Sequence, residues 1–286
     1  MLKYSQVELS VKFNSTFFVY ERFNIFSVLW GLDGSRLLWF FKGKGIKMIC
    51  KGCKKDKKLI KAHIIPRSFW IELNEGERPP KLLSNTEGYF PKKVPIGIYD
   101  RTILCSDCEQ KFQEIDSYGK QLLLADKDKQ KEVINDEKVI GFIAEEFNYD
   151  LLKLFFISIL WRASVSSHKF YSRIKLGPFE ERAKQMIWEN CAGEHGDFSC
   201  FLARFSDELG RSLFMDPHRE KRDGVNFYRF YLLGYVLYIK VDKRPTPVSW
   251  EPFVIKRNSP LCIISRDLNN SKEYKVIRNL VKNAFK

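Results

Sequence analysis

The sequence predicts an α+β protein in which a cysteine-bounded unit, residues 48–120, is followed by a helical core and a β-rich C-terminal region. Three observations support this class. Two Cys-x-x-Cys pairs bound the first unit, Cys50/Cys53 and Cys105/Cys108. Residues 148–190 carry long apolar runs typical of helices. After residue 196, apolar and polar residues alternate as they do in strands.

Residues 1–47 precede the cysteine-bounded unit and differ from it in composition. They are rich in aromatic residues and alternate partly in "VELSVKFNSTFFVYERF", which predicts one or two strands. The stretch "KGKG" then marks a break shortly before Met48. Two alternatives stay open for this segment: a native β extension, or a non-native addition ahead of a start at Met48.

Within residues 48–120, the stretch "KLIKAHII" predicts a short strand that ends at Pro66. Residues 72–101 contain several Gly and Pro residues and predict a long loop or a weak hairpin. A helix is expected to begin just after Cys105, with Phe112 and Ile115 on one face.

Residues 121–286 form the rest of the chain, and the sequence gives this region no function. Residues 121–147 are charged and predict a solvated connection or a surface helix. "YDLLKLFFISILWRASVSSHKF" is apolar nearly all round and predicts a buried helix, and "GPFEERAKQMIWEN" predicts a second one. Farther on, we expect a hairpin around Gly234, strands at "PFVI" and "LCIIS", and a terminal helix in "SKEYKVIRNLVKNAF".

The chain is strongly basic, with 49 Lys and Arg against 35 Asp and Glu and a net charge of +14. Such an excess attracts polyanions, among them DNA, RNA and anionic membrane surfaces. No cleavable signal peptide is visible, and the two most apolar stretches are interrupted by charges. We therefore expect a cytoplasmic protein that has no membrane partner. A protein partner or a homo-oligomer is compatible with the sequence.

The spacing of the cysteines predicts a metal site. Two residues between paired cysteines allow both sulfurs of a tight turn to face one ion, and two such pairs give a tetrahedral thiolate set. This arrangement favours structural zinc in a reducing compartment over a secreted disulfide scaffold. The four predicted zinc ligands are Cys50, Cys53, Cys105 and Cys108.

His63 lies between the two cysteine pairs, where the predicted strand ends in "AHIIPRSF". A histidine beside apolar residues is often only a core residue. Hydrolysis of a phosphodiester, however, needs a base with a pKa near neutrality, and imidazole meets that need. It also needs a divalent metal at the scissile phosphate.

We call the turn at Cys50 and Cys53 the first knuckle and the turn at Cys105 and Cys108 the second knuckle. The first knuckle, "AHIIP" and "ILCSDCEQKF" together resemble the zinc-stapled branch of the HNH (His-Me finger) endonucleases. The resemblance covers roughly residues 48–120 and implies a ββα-metal unit on a treble-clef zinc scaffold that hydrolyses DNA. The family pattern has an acidic residue before the base, an Asn before the second knuckle and a His after it. Here Ala62, Asp100 and Glu109 stand at those places.

The resemblance implies roles for three residues of the site. His63 would be the general base, and Glu109 would replace the metal-binding histidine on Mg²⁺ or Mn²⁺. Asp100 would either hold the base-bearing loop or offer a second carboxylate to the metal. Asp116 lies seven residues beyond Glu109, on nearly the same helix face, and would either join the metal site or be exposed. A role in phage defence is a hypothesis that rests on the family resemblance alone.

Basic side chains cluster beside the first knuckle. In "KGCKKDKKLIK" they form a solvated turn or a set of phosphate contacts, which would add salt-dependent affinity for nucleic acid, DNA in the first place. The predicted contacts are Lys51, Lys54, Lys55, Lys57, Lys58, Lys61 and Arg67. The alternative to an endonuclease is a non-catalytic zinc module that binds nucleic acid or another protein.

Overall fold

The computed structural model describes residues 19–21, 24–26, 28–30, 36–38, 47–73, 81–82, 92–93, 96–207, 214–276 and 278. The chain divides into two compact units, residues 1–47 and 48–286. In the first unit, β1 (Val19–Glu21) pairs with β2 (Asn24–Phe26), and β3 (Val28–Trp30) pairs with β4 (Arg36–Leu38), both antiparallel. One or two strands were predicted within residues 7–23, and of this stretch residues 7–18 and 22–23 lie outside the described residues.

The second unit begins with short elements around the cysteines. Strand β5 (Ala62–His63) pairs antiparallel with β8 (Tyr99–Asp100), and β6 (Lys81–Leu82) pairs with β7 (Lys92–Lys93). The helices are α1 (Arg67–Leu73), α2 (Ser106–Gln110), α3 (Gln113–Lys120), α4 (Tyr149–Val165) and α5 (Glu180–Trp188). A π-helical turn, Gln121–Ala125, extends α3.

A seven-stranded mixed sheet forms most of the remainder. Its strands are β9 (Lys131–Asn135), β10 (Lys138–Ala144), β11 (Cys200–Phe205), β12 (His218–Arg222), β13 (Val225–Leu232), β14 (Tyr235–Lys240) and β15 (Leu261–Arg266). The order is β12–β13–β14–β11–β15–β10–β9. All neighbours are antiparallel except β11 and β15, which run parallel.

Two hydrophobic clusters cover the two faces of this sheet. Alternate strand residues such as Phe201 and Leu202 enter different clusters, as the two-residue period of a strand requires. The larger cluster includes Leu202 together with buried residues of helix α4 and of the cysteine-bounded unit. Helix α4 is apolar nearly all round because neighbours surround it. The cysteine-bounded unit therefore shares one core with residues 121–286.

Several sequence predictions are confirmed, and two are wrong. The mixed α+β class, the two central helices and the hairpin of β13 and β14 are observed. Residues 121–147 were expected to be a connection or a surface helix, but they contain the β9–β10 hairpin. The stretch "PFVI" forms no strand, because it begins in the 3₁₀ turn Glu251–Phe253. The terminal helix is described at residues 272–276 and 278 only.

Among the described helices, none is both long and apolar enough to cross a membrane.

Candidate metal centre and neighbouring histidine

The four predicted cysteines lie together, with their sulfur atoms within 4.8 Å of one another. Sulfurs 2.3 Å from a tetrahedral zinc ion are about 3.8 Å apart, and Sγ of Cys53 lies 3.9 Å from Sγ of Cys105. Three of the four thiols are buried. The cluster therefore has the donor set, spacing and enclosure that suit a structural zinc ion.

Backbone hydrogen bonds shape the first knuckle. The amide of Cys50 donates to the carbonyl of Lys55 (3.0 Å), and the amide of Lys54 donates back to the carbonyl of Cys50 (2.9 Å). Lys54 adopts a left-handed conformation, with φ of 59°, which closes the turn. The amide of Cys105 donates to Sγ of Cys50 (3.3 Å), joining the two knuckles.

Gly52 allows the knuckle to approach the rest of the core. A Cβ at this position would lie 2.6 Å from Cζ2 of Trp188 and 2.8 Å from Sγ of Cys108. Real Cβ atoms do not come so close, so a larger residue would push the first knuckle away from the second. Trp188 also packs edge-on against Phe112 and Trp161, which links the metal cluster to α4 and α5.

The thiol pKa values are consistent with a site that needs a cation. Burial acts to raise the pKa of Cys50, but amides of Cys53, Cys105 and Gly52 outweigh it and bring the pKa to about 7. Burial, together with the neighbouring thiols, raises the pKa of Cys108. Four enclosed thiols cannot all ionise beside one another without positive charge, and a divalent ion supplies it.

His63 lies at the end of β5, opposite Tyr99 of β8. Its Nε2 is 3.0 Å from the carbonyl oxygen of Ile96, and its ring meets the Tyr99 ring at an angle, with centroids 5.9 Å apart. A carbonyl only accepts hydrogen bonds, so Nε2 carries the hydrogen and Nδ1 keeps a lone pair. Burial lowers the pKa of His63, and Arg162 and Arg67 lower it further. The Ile96 carbonyl and Asp116 act in the opposite direction, but the pKa remains lowered, which favours the neutral ring at pH 7.

Glu109 lies on α2, directly after the second knuckle, and reaches back to β5. Burial raises the pKa of its carboxyl group, while Arg162 and the backbone amide of His63 counteract that rise. Its Oε2 is buried and has no hydrogen-bond partner among the described residues. A buried carboxylate oxygen without a partner is costly, and a bound cation would satisfy it. The structure thus brings His63 and Glu109 together across 46 residues.

Asp116 of α3 lies close to the same two residues but is engaged. Both carboxylate oxygens accept hydrogen bonds from the guanidinium of Arg162, at 2.9 and 2.7 Å. Burial raises the pKa of Asp116, and Arg162 opposes that rise. The same arginine donates to the carbonyl oxygen of His63 (3.0 Å) and lies over the ring of Phe112 (4.6 Å).

The role of Arg162 was not predicted from the sequence. The side chain is fully buried. A signal did exist, because an arginine in a helix that is buried all round needs a carboxylate partner. What the sequence did not indicate is that the partner, Asp116, belongs to α3.

Asp100 is buried on β8, next to Ala62 of β5. Its Oδ1 accepts from the amide and hydroxyl of Thr102, and its Oδ2 accepts from Ser166 and from the amide and hydroxyl of Ser167. These five bonds tie β8 to the chain that leaves α4. Donors from the segment that follows α4 therefore occupy Oδ2 of Asp100.

The predicted phosphate contacts lie mostly at the surface of the first knuckle. Lys57 is half-buried and pairs with Asp107 at the start of α2, at 2.5 Å. Lys61 lies over the ring of Tyr99, with its Nζ 5.2 Å from the centroid. Exposed to solvent are Lys51, Lys54, Lys55, Lys58, Lys61 and Arg67.

Comparisons of the chain with protein-family models, with curated proteins and with solved structures give no match.

Proposed function

We propose that residues 48–120 form a zinc-stapled, HNH-like unit that hydrolyses phosphodiester bonds of nucleic acid, with His63 as the general base. The observation that carries the proposal is the Nε2 contact of His63 with the Ile96 carbonyl. It leaves Nδ1 as the basic atom of a ring whose pKa is held down by burial and by two arginines. A neutral, oriented imidazole is what a water-activating base requires.

Glu109 would hold the divalent cation. Its unpartnered Oε2 is a hard oxygen donor, which Mg²⁺ and Mn²⁺ prefer. A metal bound there would polarise the scissile phosphate and stabilise the charge that develops on it. Asp116 is the second carboxylate nearby, but its oxygens are bound by Arg162. We assign Asp116 to positioning through Arg162, which also holds the His63 carbonyl.

The scaffold in this proposal is a treble clef. Its parts would be the first knuckle, the pair of short strands β5 and β8, and the helix α2 that follows the second knuckle. Zinc would fix α2, and so Glu109, against β5. Asp100 would take the first of its two candidate roles and brace β8, because protein donors already occupy its carboxylate.

Nucleic acid is the proposed substrate because exposed cations follow the first knuckle closely in the chain. Lys54, Lys55 and Lys58 are exposed and lie within one short turn of the first knuckle. None of the three makes an ion pair within the described part of the chain. Positive charge without internal partners suits the phosphate backbone. The specific hypothesis is that the protein cleaves DNA in the cytoplasm and acts in phage defence.

A non-catalytic zinc module that binds nucleic acid is the second candidate. The exposed lysines favour it as much as they favour the nuclease, since they supply affinity and not chemistry. The two candidates differ at His63. In a binding module His63 would be a structural residue, so its replacement would change folding or binding and no cleavage would be observed.

Cleavage of supercoiled plasmid DNA and of a structured RNA tests the proposal. The wild-type protein, loaded with zinc, is assayed with Mg²⁺ or Mn²⁺ beside His63→Ala and the matched control His195→Ala. His195 is half-exposed and lies outside the cysteine-bounded unit. We expect metal-dependent cleavage by the wild type and the control, and none by His63→Ala at equal zinc content. Binding without cleavage by all three proteins would favour the binding module.

A further inference from the structure

A basic cavity lies outside the cysteine-bounded unit, between the segment that follows α4 and the edge strand β12. Its volume is about 540 Å³, within the range of small-molecule sites. Among the described residues, its walls are Arg173, Lys175, His218, Arg219 and Tyr228. Three of these five side chains are cationic, and none is acidic.

The positive charge in this cavity is largely uncompensated. Lys175 and Arg219 are exposed, and within the described residues neither forms an ion pair. Arg173 lies 3.4 Å from the buried carboxylate of Asp216, which holds the arginine at the wall. A cavity that collects free cations at its surface would attract anions in preference to neutral ligands.

The wall that carries Lys175 is fixed by the sheet. The hydroxyl of Tyr228 accepts from the amide of Lys175 (3.0 Å) and donates to its carbonyl oxygen (2.6 Å). Tyr228 is buried on β13, and both bonds are partly buried. The backbone of Lys175 is therefore held while its side chain stays available to a ligand.

His218 orders the start of the edge strand β12, which also lines the cavity. Its Nε2 lies 2.6 Å from a guanidinium nitrogen of Arg229. A guanidinium only donates, so Nε2 accepts and the ring is neutral. His218 therefore adds no charge to the cavity, and its contact with Arg229 fixes the start of β12 next to Arg219.

We propose that this cavity binds a phosphate group, with Lys175 and Arg219 as its principal ligands and Arg173 in support. Guanidinium and ammonium groups form strong charge-assisted hydrogen bonds to phosphate oxygens, and arginine does so with two bonds at once. The phosphate comes either from a free nucleotide or from a nucleic-acid backbone. The site is separate from the lysines of the first knuckle and stands independently of the proposed nuclease activity.

Equilibrium binding to the full-length, zinc-loaded protein tests this site. The probes are ATP and a short single-stranded DNA oligonucleotide, both without added divalent ions so that no cleavage occurs. The test variant is Lys175→Gln/Arg219→Gln. The matched control is Lys138→Gln/Lys221→Gln, which removes two exposed cations of the same sheet from outside the cavity. Thermal denaturation checks that both variants remain folded.

We expect the test variant to bind at least one probe about tenfold more weakly, while the control stays within about twofold of the wild type. A loss in the ATP arm would identify a free nucleotide as the source of phosphate, and a loss in the DNA arm alone would identify the backbone. Three results would overturn the site: no binding by the wild type, unchanged binding by the test variant, or equal losses in both variants.

Discussion

Arg162 donates to both carboxylate oxygens of Asp116, at 2.9 and 2.7 Å, from a helix in the middle of the core. A third bond from the same guanidinium, at 3.0 Å, reaches the carbonyl oxygen of His63. One buried arginine of α4 thus joins α3 to the strand that carries the histidine. The region that follows the cysteine-bounded unit therefore contacts the main chain of His63 directly.

Replacing Arg162 should destabilise the protein strongly. Arg162→Met removes the partner of a partly buried carboxylate, and breaking such a pair from one side costs about 3 kcal/mol. Urea unfolding of the zinc-loaded protein would measure this loss. The double variant Arg162→Met/Asp116→Leu should recover part of it, because no buried charge is then left unpaired. If the loss of stability in the double variant equals the sum of the losses in Arg162→Met and Asp116→Leu, the pair makes no coupled contribution.

Gly52 should be difficult to replace, because the metal cluster packs closely against it. In Gly52→Ala the new methyl group would meet Trp188 at 2.6 Å and Sγ of Cys108 at 2.8 Å, so we expect weaker zinc binding and a lower Tm. Gly196→Ala is the control, because nothing lies within 4 Å of its Cβ position. Competition with a chromogenic chelator would give the zinc affinity of both. An effect of equal size in the control would rule out the steric explanation.

Purified protein should contain one zinc ion per chain, bound to the four clustered thiols. We expect Cys108→Ser to lose the metal and to unfold at a lower temperature, because zinc binding contributes directly to the stability of small thiolate sites. Cys191→Ser should keep it, since that cysteine is exposed and lies outside the cluster. Elemental analysis of the two variants decides the matter, and a metal-free wild type would remove the basis for the scaffold.

Asp100 should stabilise the fold in a pH-dependent way. Burial acts to raise its pKa, but bonds from Thr102, Ser166 and Ser167 outweigh it, so the pKa is lowered. Its contribution is then complete above the unfolded-state pKa of about 3.9 and is lost as the pH falls through the folded-state value. At pH 7, Asp100→Asn should cost about 2 kcal/mol.

Urea unfolding at pH 7 and at pH 3 tests this linkage. The difference between wild type and Asp100→Asn should shrink at the lower pH, because pH 3 lies below the unfolded-state pKa and unfolding of the wild type then takes up a proton. Asp128→Asn, at an exposed position, is the control and should change stability little at either pH. A difference that is the same at both values would show that the charge of Asp100 is unimportant.

The sequence predicted those parts of the fold that local patterns encode. The hairpin of β13 and β14 follows from alternation over both strands, and α4 follows from an uninterrupted apolar run. The β9–β10 hairpin was missed because β9 is exposed along most of its length. Its turn also lacks the usual glycine: Asp136 and Glu137 adopt positive φ values of 46° and 61° themselves.

In the candidate site, too, only local patterns could be predicted from the sequence. The cysteines were predictable because ligand spacing within each pair is local, and the sulfurs do converge. The bonds of Asp100 to Ser166 and Ser167, and of Arg162 to Asp116, join residues that are tens of positions apart. Sequence patterns predict that such buried charges need partners, but they do not name the partners.

Chemical rescue tests the central claim most directly, because it separates a base from a structural histidine. Single-turnover DNA cleavage with Mg²⁺ or Mn²⁺ is measured for wild type and His63→Gly, with and without added imidazole, and zinc content is measured on the same samples. We predict that His63→Gly is inactive, keeps its zinc, and regains part of its activity with imidazole. A wild type that cleaves nothing, or a His63→Gly variant as active as the wild type, would contradict the account.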